Sequence, residues 1–325
     1  MKLSDDRVAS IFNEMRDDYD DLHDLWYAWL FSRLHHFIVK DILCHWSDPA
    51  SQRVLDIGCG TGFQTFLYAS LGCRVVGIDI ADALVESARQ KLSANCHIQA
   101  DDLFQSYFPF VDRYNRKIRR LLDLKFPGRH FEPPVFEVGS AIQLPYQDGE
   151  FTHINCCGSV LSFIGEHTVA LSEIARVLRP GGTYILEVEA KYNADLLWTL
   201  LDSMLLRGRL GYDCRPKEAF RMLAAVPRNH VVIDYPFGEA KDPVHMKIKL
   251  FSRAGLRDDL YSHGLLAEQS RTIHSITNLI PSTVLDAMHP GRILQGLFFV
   301  LARVEELIPF AFPGCSLVVF GRKTS

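Results

Sequence analysis

Residues 53–65 read RVLDIGCGTGFQT, and this stretch decides the fold. An apolar, β-prone run leads to Asp56, and three glycines follow at Gly58, Gly60 and Gly62. Glycine tolerates positive φ and has no Cβ to hold a ligand away from the backbone. The run therefore predicts a strand that turns sharply against a ligand. The helix expected after the turn would offer free N–H groups at its N-terminus.

The sequence on the C-terminal side alternates between helix and strand patterns. FQTFLYASLG (63–72) is typical of a helix, RVVGIDI (74–80) of a strand and ADALVESARQKLSA (81–94) of a second helix. Such alternation predicts a parallel sheet with right-handed crossovers. The pattern resumes with strands VFEVGS (135–140) and FTHINCC (151–157), a helix HTVALSEIARVL (167–178), a turn at 180–182 and a strand TYILEVEA (183–190).

Two carboxylates indicate which ligand the loop prefers. Asp56 stands directly before the glycines, where it would repel a phosphate and attract a cation. Asp79 ends the second strand, about 20 residues past the loop, where an acid can accept hydrogen bonds from both hydroxyls of a ribose. The pair predicts a nucleoside site whose ligand carries a positively charged tail.

Four segments, in the same order, resemble those of the class I S-adenosylmethionine-dependent methyltransferases. They are VLDIGCGTG (54–62), VVGIDI (75–80), VGSAIQLPYQDGEFTHI (138–154) and ALSEIARVLRPGGTYILEVE (170–189). The resemblance covers roughly residues 50–190. It implies an α/β, Rossmann-like fold with a seven-stranded, mainly parallel sheet, helices on both faces, helical additions and an antiparallel last strand. CSLVVFGRK (315–323) is the candidate for that strand.

The resemblance also implies how the glycine loop would bind S-adenosylmethionine. Asp56 and the backbone of Gly58 and Gly60 would lie near the methionine part of the cofactor. Cys59 belongs to the same stretch of the site, and Gly62 would shape the loop.

The later segments would hold the nucleoside. Asp79 would bind the ribose, and Ile80 would pack on the adenine. Ser140 and Ala141 fall where the family usually has Asp-Ala at the adenine edge. A serine there can still form a hydrogen bond, but it carries no charge.

The segment after the fourth strand would face the sulfonium, which places Cys156 and Cys157 in the cofactor site. Adjacent cysteines chelate metals poorly, and neither zinc spacing nor a histidine motif is present, so we expect no metal.

Candidate catalytic residues are Tyr19 and His167. The segment FNEMRDDYDDLHDLWY (12–27) resembles a lid that precedes the first strand in many small-molecule methyltransferases, and Tyr19 would face the methyl group. Packing of aromatic helices is the alternative explanation of this segment. His167 is a candidate base by position alone, and a capping or surface role competes because it begins a helix.

We expect one elaborated domain over residues 1–325. A helical lid would occupy 1–50, and the cofactor-binding core 51–190, with an insertion at about 96–134. Residues 191–325 would complete the sheet and add helices on the substrate side.

The net charge and composition of the whole chain limit the partners and the location that we expect. The formal net charge of −4 argues against a nucleic-acid partner. The N-terminus has no signal-like apolar segment, and eight irregularly spaced cysteines indicate reduced thiols, so we expect a cytoplasmic protein.

Charges at Arg303, Glu305 and Glu306 interrupt the apolar stretch 293–312, which favours a buried or amphipathic helix over a membrane span. The basic stretch 113–125 is either a solvated helix face or an element that docks on an acidic substrate or a membrane.

The sequence thus predicts an enzyme that transfers a methyl group from S-adenosylmethionine to a small or lipid-like acceptor by in-line displacement. Alternatives are a protein or RNA methyltransferase and a non-catalytic, cofactor-binding regulatory subunit. A NAD-type oxidoreductase would need the spacing G-x-G-x-x-G, whereas this chain has Gly58-x-Gly60-x-Gly62. Peripheral membrane contact and the oligomeric state stay open.

Overall fold

The computed structural model describes residues 5–16, 19–20, 25–94, 109–212, 217, 220, 230–237, 244–285, 290–308 and 313–324, with backbone alone at 109–115, 234–237 and 244–245. Nine strands lie in this part of the chain: β1 (Arg53–Ile57), β2 (Arg74–Asp79), β3 (Val135–Val138), β4 (Phe151–Cys156), β5 (Leu178–Glu189), β6 (Val231–Phe237), β7 (Val244–Leu250), β8 (Leu265–Ile273) and β9 (Ser316–Lys323).

Seven of these strands form the central sheet, in the order β3-β2-β1-β4-β5-β9-β8. β1 to β5 are parallel, and β9 runs antiparallel to both β5 and β8. The expected α/β sheet with its antiparallel last strand is confirmed. Strand order reverses direction between β1 and β4, which is where ligands bind in open α/β sheets.

The described helices are α1 (Asp5–Glu14), α2 (Leu25–His45), α3 (Phe63–Ala69), α4 (Asp82–Ala94), α5 (Pro109–Lys125), α6 (Val160–Phe163), α7 (His167–Val177), α8 (Ala194–Leu201), α9 (Arg253–Ser262), α10 (Ser282–Leu285) and α11 (Arg292–Leu307). Short 3₁₀ turns at Pro49–Ser51 and Thr277–Leu279 and a π-turn at Asp202–Leu206 complete them.

Helices cover both faces of the sheet, as expected. One core joins α2, α3, α5 and α11 to residues such as Val54 and Val318. The other joins α7 and α9 to residues such as Leu55 and Leu317. Neighbouring residues of a strand point to opposite faces, so each inner strand supplies both cores.

The expectation that the late strands complete the main sheet holds for β8 and β9. β6 and β7 instead pair with each other in a separate two-stranded sheet. The physical reason is a separate apolar cluster, in which Met246 and Ile248 of β7 pack with Val8, Ile11 and Phe163.

Two further expectations are refined. The glycine turn at 180–182 lies within β5 as an irregularity: Phe151 pairs with Leu178, and His153 already pairs with Thr183. The insertion at 96–134 does contain a helix, α5, which packs on α2. Residues 95–108 lie outside the described part. In the described part, no helix is both long and apolar enough to cross a membrane.

Candidate functional site

A cavity lies at the carboxyl ends of β1 and β2, beneath α1 and the β4–α6 loop. The water-accessible space inside is about 80 Å³, well below the about 300–1,000 Å³ of small-molecule pockets. It is small because side chains of the N-terminal segment lie across it. Lining residues that the sequence analysis did not name singly are Asp5, Val8, Phe12, Val160, Phe163 and Ile164.

The glycine loop brings backbone to the cavity wall. The Gly58 amide donates to the Ile78 carbonyl at 2.7 Å, which ties the loop to β2. Gly58 has φ +72, and a Cβ there would come within 2.1 Å of Val160 Cγ2. Gly60 has φ +51, and its Cβ would lie 3.2 Å from the Tyr19 hydroxyl oxygen. Glycine is required at Gly58 because any side chain would be strained and would enter the neighbouring wall.

Cys59 and Gly62 shape the loop from behind. Cys59 is buried and packs in a small core with Phe66 and Phe136, away from the cavity. Gly62 adopts φ +94 at the N-cap of α3, and its amide donates to the Cys59 carbonyl at 2.8 Å. Both residues therefore support the turn, and neither lines the cavity.

Asp79 does line the cavity, as expected. Its Oδ2 accepts from the Gly60 amide and its Oδ1 from the Ala81 amide, each at 2.8 Å. Burial raises the pKa of this carboxyl, and the backbone donors oppose the rise. The Ile80 amide also acts on this carboxylate, which has about four lone-pair sites and so keeps acceptor capacity for a ligand. Ile80 lines the cavity next to it.

Asp56, which was expected near the methionine part of the cofactor, does not line the cavity in this structure. It is buried, and its oxygens accept from Thr65 Oγ1 at 2.5 Å and Asn155 Nδ2 at 2.6 Å. Burial raises the pKa of Asp56 to about 6, although these hydrogen bonds oppose the rise. The carboxylate therefore stands behind the glycine loop and joins β1 to β4 and α3.

Ser140 and Ala141 line the cavity at the end of β3. Ser140 Oγ donates to Asp5 Oδ2 at 2.8 Å, so α1 is attached to this wall. Sequence reasoning missed Asp5, because a polar contact between residues so far apart leaves no local pattern.

Cys156 and Cys157 are corrected as cofactor contacts. Both are fully buried, Cys156 in one core of the sheet and Cys157 in the other. Adjacent residues at a strand end point to opposite faces, so both side chains go to the cores. Gly158 reaches the cavity in their place.

Tyr19 and His167, the two candidate catalytic residues, have different surroundings. Tyr19 lines the cavity, and burial, reinforced by the charges of Asp79 and Asp20, raises the pKa of its hydroxyl. This tyrosine is therefore a neutral phenol at physiological pH.

His167 does not line the cavity. Its Nδ1 lies 2.7 Å from Lys249 Nζ and its Nε2 lies 3.2 Å from Asp259 Oδ2. Because an ammonium only donates, Nδ1 accepts from Lys249 and Nε2–H donates to Asp259. Burial, together with the Lys249 charge, lowers the pKa of His167 to about 4. The residue thus joins α7 to β7 and α9 and is corrected as a candidate base.

Two acids at the end of β5 hold the β4–α6 loop, and the sequence analysis did not single them out. Glu187 accepts from the amides of Gly158 at 3.0 Å and Ser159 at 2.5 Å. Glu189 accepts from Ser159 Oγ at 2.8 Å. Burial raises the pKa of both acids. The sequence does carry a pattern that indicates this pair: acids at 187 and 189 alternate with Val188, which puts both on one face of a strand.

The site contains the polar groups of a nucleoside site. Among the residues that the structure describes, no three His, Cys, Asp or Glu side chains come together as metal ligands would.

Comparison with known proteins finds methyltransferase domains in the first part of the chain. Two family models, each described as a methyltransferase domain, match residues 54–118 and 111–186. The S-adenosyl-L-methionine-dependent Diels-Alderase iccD of Talaromyces variabilis is 31% identical over 148 residues, 45% of this chain and 40% of that protein. The demethylmenaquinone methyltransferase of Renibacterium salmoninarum is 23% identical over 180 residues, 55% of this chain and 57% of that protein. The chain thus matches less than two thirds of the length of these relatives.

Solved structures agree on the fold. The PH0226 protein from Pyrococcus horikoshii OT3 is similar over 94% of this chain and 95% of that chain, with a TM-score of 0.50 and 17% identity. At this identity the similarity concerns the fold alone.

Residues 54–186 thus match methyltransferase-domain models, and the sheet order and the glycine loop agree with the fold expected for class I S-adenosylmethionine-dependent methyltransferases. S-adenosylmethionine is the cofactor of this domain.

Proposed function

We propose that this protein transfers a methyl group from S-adenosylmethionine to a small, apolar or lipid-like acceptor. The observation that carries the proposal is the position of Asp79. Its carboxylate lines the cavity, holds the glycine loop through Gly60, and keeps acceptor capacity for a ribose. The single elaborated domain expected from the sequence, with its lid at 1–50, belongs to the same proposal.

The residues present fit the cofactor. Gly58 lines the cavity, and because it has no Cβ its backbone can approach a ligand closely. Asp79 would hold the ribose, Ile80 and Ala141 would pack on the base, and Ser140 would offer its hydroxyl to the base edge. These roles agree with the wall on which each residue lies.

In this proposal Asp56 influences the ligand through its charge and not through direct contact. Its pKa of about 6 leaves it ionised at neutral pH, directly behind the loop. Its negative charge then favours a cationic tail over a pyrophosphate without direct contact, since charge interactions in a protein interior extend beyond hydrogen-bond distance.

The cofactor supplies a methyl group on a sulfonium, and the sulfonium itself makes this methyl group electrophilic. The chain aligns the reactants and excludes water, which is a proximity and orientation effect. Phe12, Tyr19 and Phe163 form an aromatic wall, and their faces can stabilise a cation. Because the hydroxyl of Tyr19 stays protonated, it orients the reactants as a donor and does not act as a base.

Entry of the donor requires the N-terminal segment to move. The space of about 80 Å³ is too small for a nucleoside. Displacing α1 would break the hydrogen bond from Ser140 to Asp5 and open the cavity. In this proposal the lid expected over 1–50 is the part that carries α1 and Tyr19, because α2 packs in the main core.

The chemistry of the wall supports a small apolar acceptor. Val8, Phe12, Phe163 and Ile164 are apolar and lie on the lid side of the cavity. The similar protein from Renibacterium salmoninarum is named for a menaquinone precursor, which is a lipid-like molecule. The negative net charge weighs against an RNA acceptor. The described cysteines are free thiols, which supports the proposed cytoplasmic location.

A second candidate function is donor binding without methyl transfer. The relative from Talaromyces variabilis is named as a Diels-Alderase that depends on S-adenosyl-L-methionine. A non-catalytic, cofactor-binding subunit gives the same result in a methylation assay.

Calorimetry with S-adenosylhomocysteine and with NAD tests the binding site. We expect binding of the first and none of the second; binding of NAD alone would overturn the proposal. Methyl-labelled donor is then incubated with protein, RNA and organic-soluble fractions of a cell extract, and S-adenosylhomocysteine is quantified. Label in the organic-soluble fraction supports the proposed acceptor class. Label in protein or RNA contradicts it, and donor binding without S-adenosylhomocysteine in any fraction favours the second candidate.

A further inference from the structure

The outward face of α5 combines basic and apolar side chains. Lys117, Arg120, Leu121 and Leu124 are all exposed, Leu124 to 73%. Their spacing of i, i+3, i+4 and i+7 places the four side chains together on one face of a helix. We call these four residues the basic face of α5. Each of its leucines follows a cation by one helical turn, so apolar and positive groups alternate along the surface.

The opposite face of the same helix is fixed in the fold. Ile118 and Leu122 are buried in the core that also contains α2, and Phe126, directly after the helix, is buried there too. The Arg129 guanidinium then donates to the Ser70 carbonyl at 3.2 Å, which attaches the end of α5 to the end of α3. Because these contacts hold the inner face, the basic face points away from the core.

The fold leaves the cations of the basic face without acids. Among the residues that the structure describes, no carboxylate forms an ion pair with Lys117 or Arg120. Asp123 is exposed on the same helix, but it pairs with Arg129 at 2.8 Å. The positive charge of this face is therefore available to a partner.

The positive surface extends beyond these two cations. Arg116 and Lys125 of α5 and Lys40 of α2 are exposed as well. Burial is the main cause of the lowered pKa of His36, and nearby positive charges, Lys117 and Lys40 among them, add to it, so both lysines lie on the same side of the molecule. The sequence of α5 has six Lys or Arg residues and two Asp, whereas the whole chain has a net charge of −4. Positive charge is thus concentrated on this helix.

We propose that the basic face of α5 docks on the surface of a membrane that contains anionic phospholipids. Its cations would lie among the phosphate groups, and Leu121 and Leu124 would enter the boundary between headgroups and acyl chains. Lys and Arg together with exposed leucines are typical of helices that lie on membrane surfaces. Each Lys or Arg near an anionic surface raises the affinity about fivefold, so a few cations give weak and reversible binding.

The two leucines favour a membrane over other anionic partners. A nucleic acid offers phosphates to the cations but no apolar layer in which Leu121 and Leu124 could be buried. The surface of a phospholipid bilayer offers both. The negative net charge of the chain also weighs against a nucleic acid.

Vesicle sedimentation tests the docking without a methyl donor, so its result is independent of the proposed reaction. We expect the wild-type protein to sediment with vesicles of phosphatidylcholine and phosphatidylglycerol at low salt, and not with pure phosphatidylcholine vesicles. High salt should release it, because exposed charges are screened. Lys117→Glu/Arg120→Glu should bind the mixed vesicles at least tenfold more weakly.

Arg253→Glu/Arg257→Glu is the matched control for this variant. It makes the same change of charge at two exposed positions of α9, which packs on the other face of the sheet. This control should bind the mixed vesicles as the wild type does. A loss of binding equal to that of Lys117→Glu/Arg120→Glu would overturn the assignment to α5.

A variant without a change of charge tests the leucines. Leu124→Ser should lower the affinity for the mixed vesicles by about threefold or more, because a smaller apolar surface would be buried. Thermal unfolding shows that each variant is folded, as we expect for changes of exposed side chains. A wild-type protein that stays in solution with the mixed vesicles, or wild-type affinity in Lys117→Glu/Arg120→Glu or in Leu124→Ser, overturns the proposal. Binding of RNA or polyglutamate in place of vesicles would overturn it in favour of a nucleic acid or an acidic protein.

Discussion

Replacing Asp79 by Ala removes the group on which the proposed cofactor site depends. Two ribose hydroxyls would lose a charged acceptor, and a hydrogen bond to a charged group contributes about 1.5–3 kcal/mol. The lower value for each hydroxyl gives about 3 kcal/mol, which is about a hundredfold in affinity at 1.4 kcal/mol per tenfold. Calorimetry with S-adenosylhomocysteine measures this loss directly, and we expect at least a tenfold decrease.

The same variant also leaves the amides of Gly60 and Ala81 without the Asp79 carboxylate, which accepts a hydrogen bond of 2.8 Å from each. Thermal unfolding measured in parallel shows whether the loop remains folded, and Asp79→Asn retains an oxygen for one of the two amides. Asp148→Ala is the control, because that carboxylate is exposed and lies away from the cavity. Wild-type affinity in a folded Asp79→Ala protein would refute the assignment of the ribose.

Three further changes test other parts of the account. Gly58→Ala should lower both the melting temperature and the affinity for S-adenosylhomocysteine, because its Cβ would lie 2.1 Å from Val160 at φ +72; unchanged values would show that the loop can yield. His167→Gln should leave that affinity within twofold and lower the stability in urea, because Lys249 loses an acceptor; a large loss of affinity would return His167 to the site. Burial lowers the pKa of His153 from 6.5 to about 3, so its neutral form contributes stability that is complete above pH 6.5 and is lost as the pH falls toward 3. His153→Gln should reduce the pH dependence of the unfolding free energy in that range by up to about 1.4 kcal/mol per pH unit, and an unchanged slope in urea titrations would contradict this.

Local pattern was enough to predict the elements around the glycine loop. Three glycines after an apolar run marked the turn, and an acid at the tip of the next strand marked Asp79. The loop geometry depends on residues close together in sequence, as the bond from the Gly60 amide to Asp79 illustrates. The sheet order followed from the resemblance to a family and not from spacing.

Contacts between segments that are distant in the chain could not be predicted from the sequence. His167 begins a helix in the way a surface histidine would, but β7 brings Lys249 to its ring. Asp56 was expected near a ligand, but Asn155 of the neighbouring strand donates a hydrogen bond to its carboxylate. Cys157 was expected to face the sulfonium, and the direction of a side chain at a strand end depends on where the strand stops.

The amphipathic character expected for 293–312 is confirmed for α11, and the sequence could not say which face would be buried. Trp29 and Glu305 decide it, because their contact fixes one face of the helix against α2. The opposite face, with Ile293, Val300 and Leu307, is exposed.

A crystal structure of the protein with S-adenosylhomocysteine tests the central claim most directly. The account predicts that both ribose hydroxyls contact the Asp79 carboxylate and that the amino-acid tail lies along Gly58 and Gly60, with Asp56 behind the loop. A ribose bound elsewhere, or a tail that avoids the glycine loop, would contradict it.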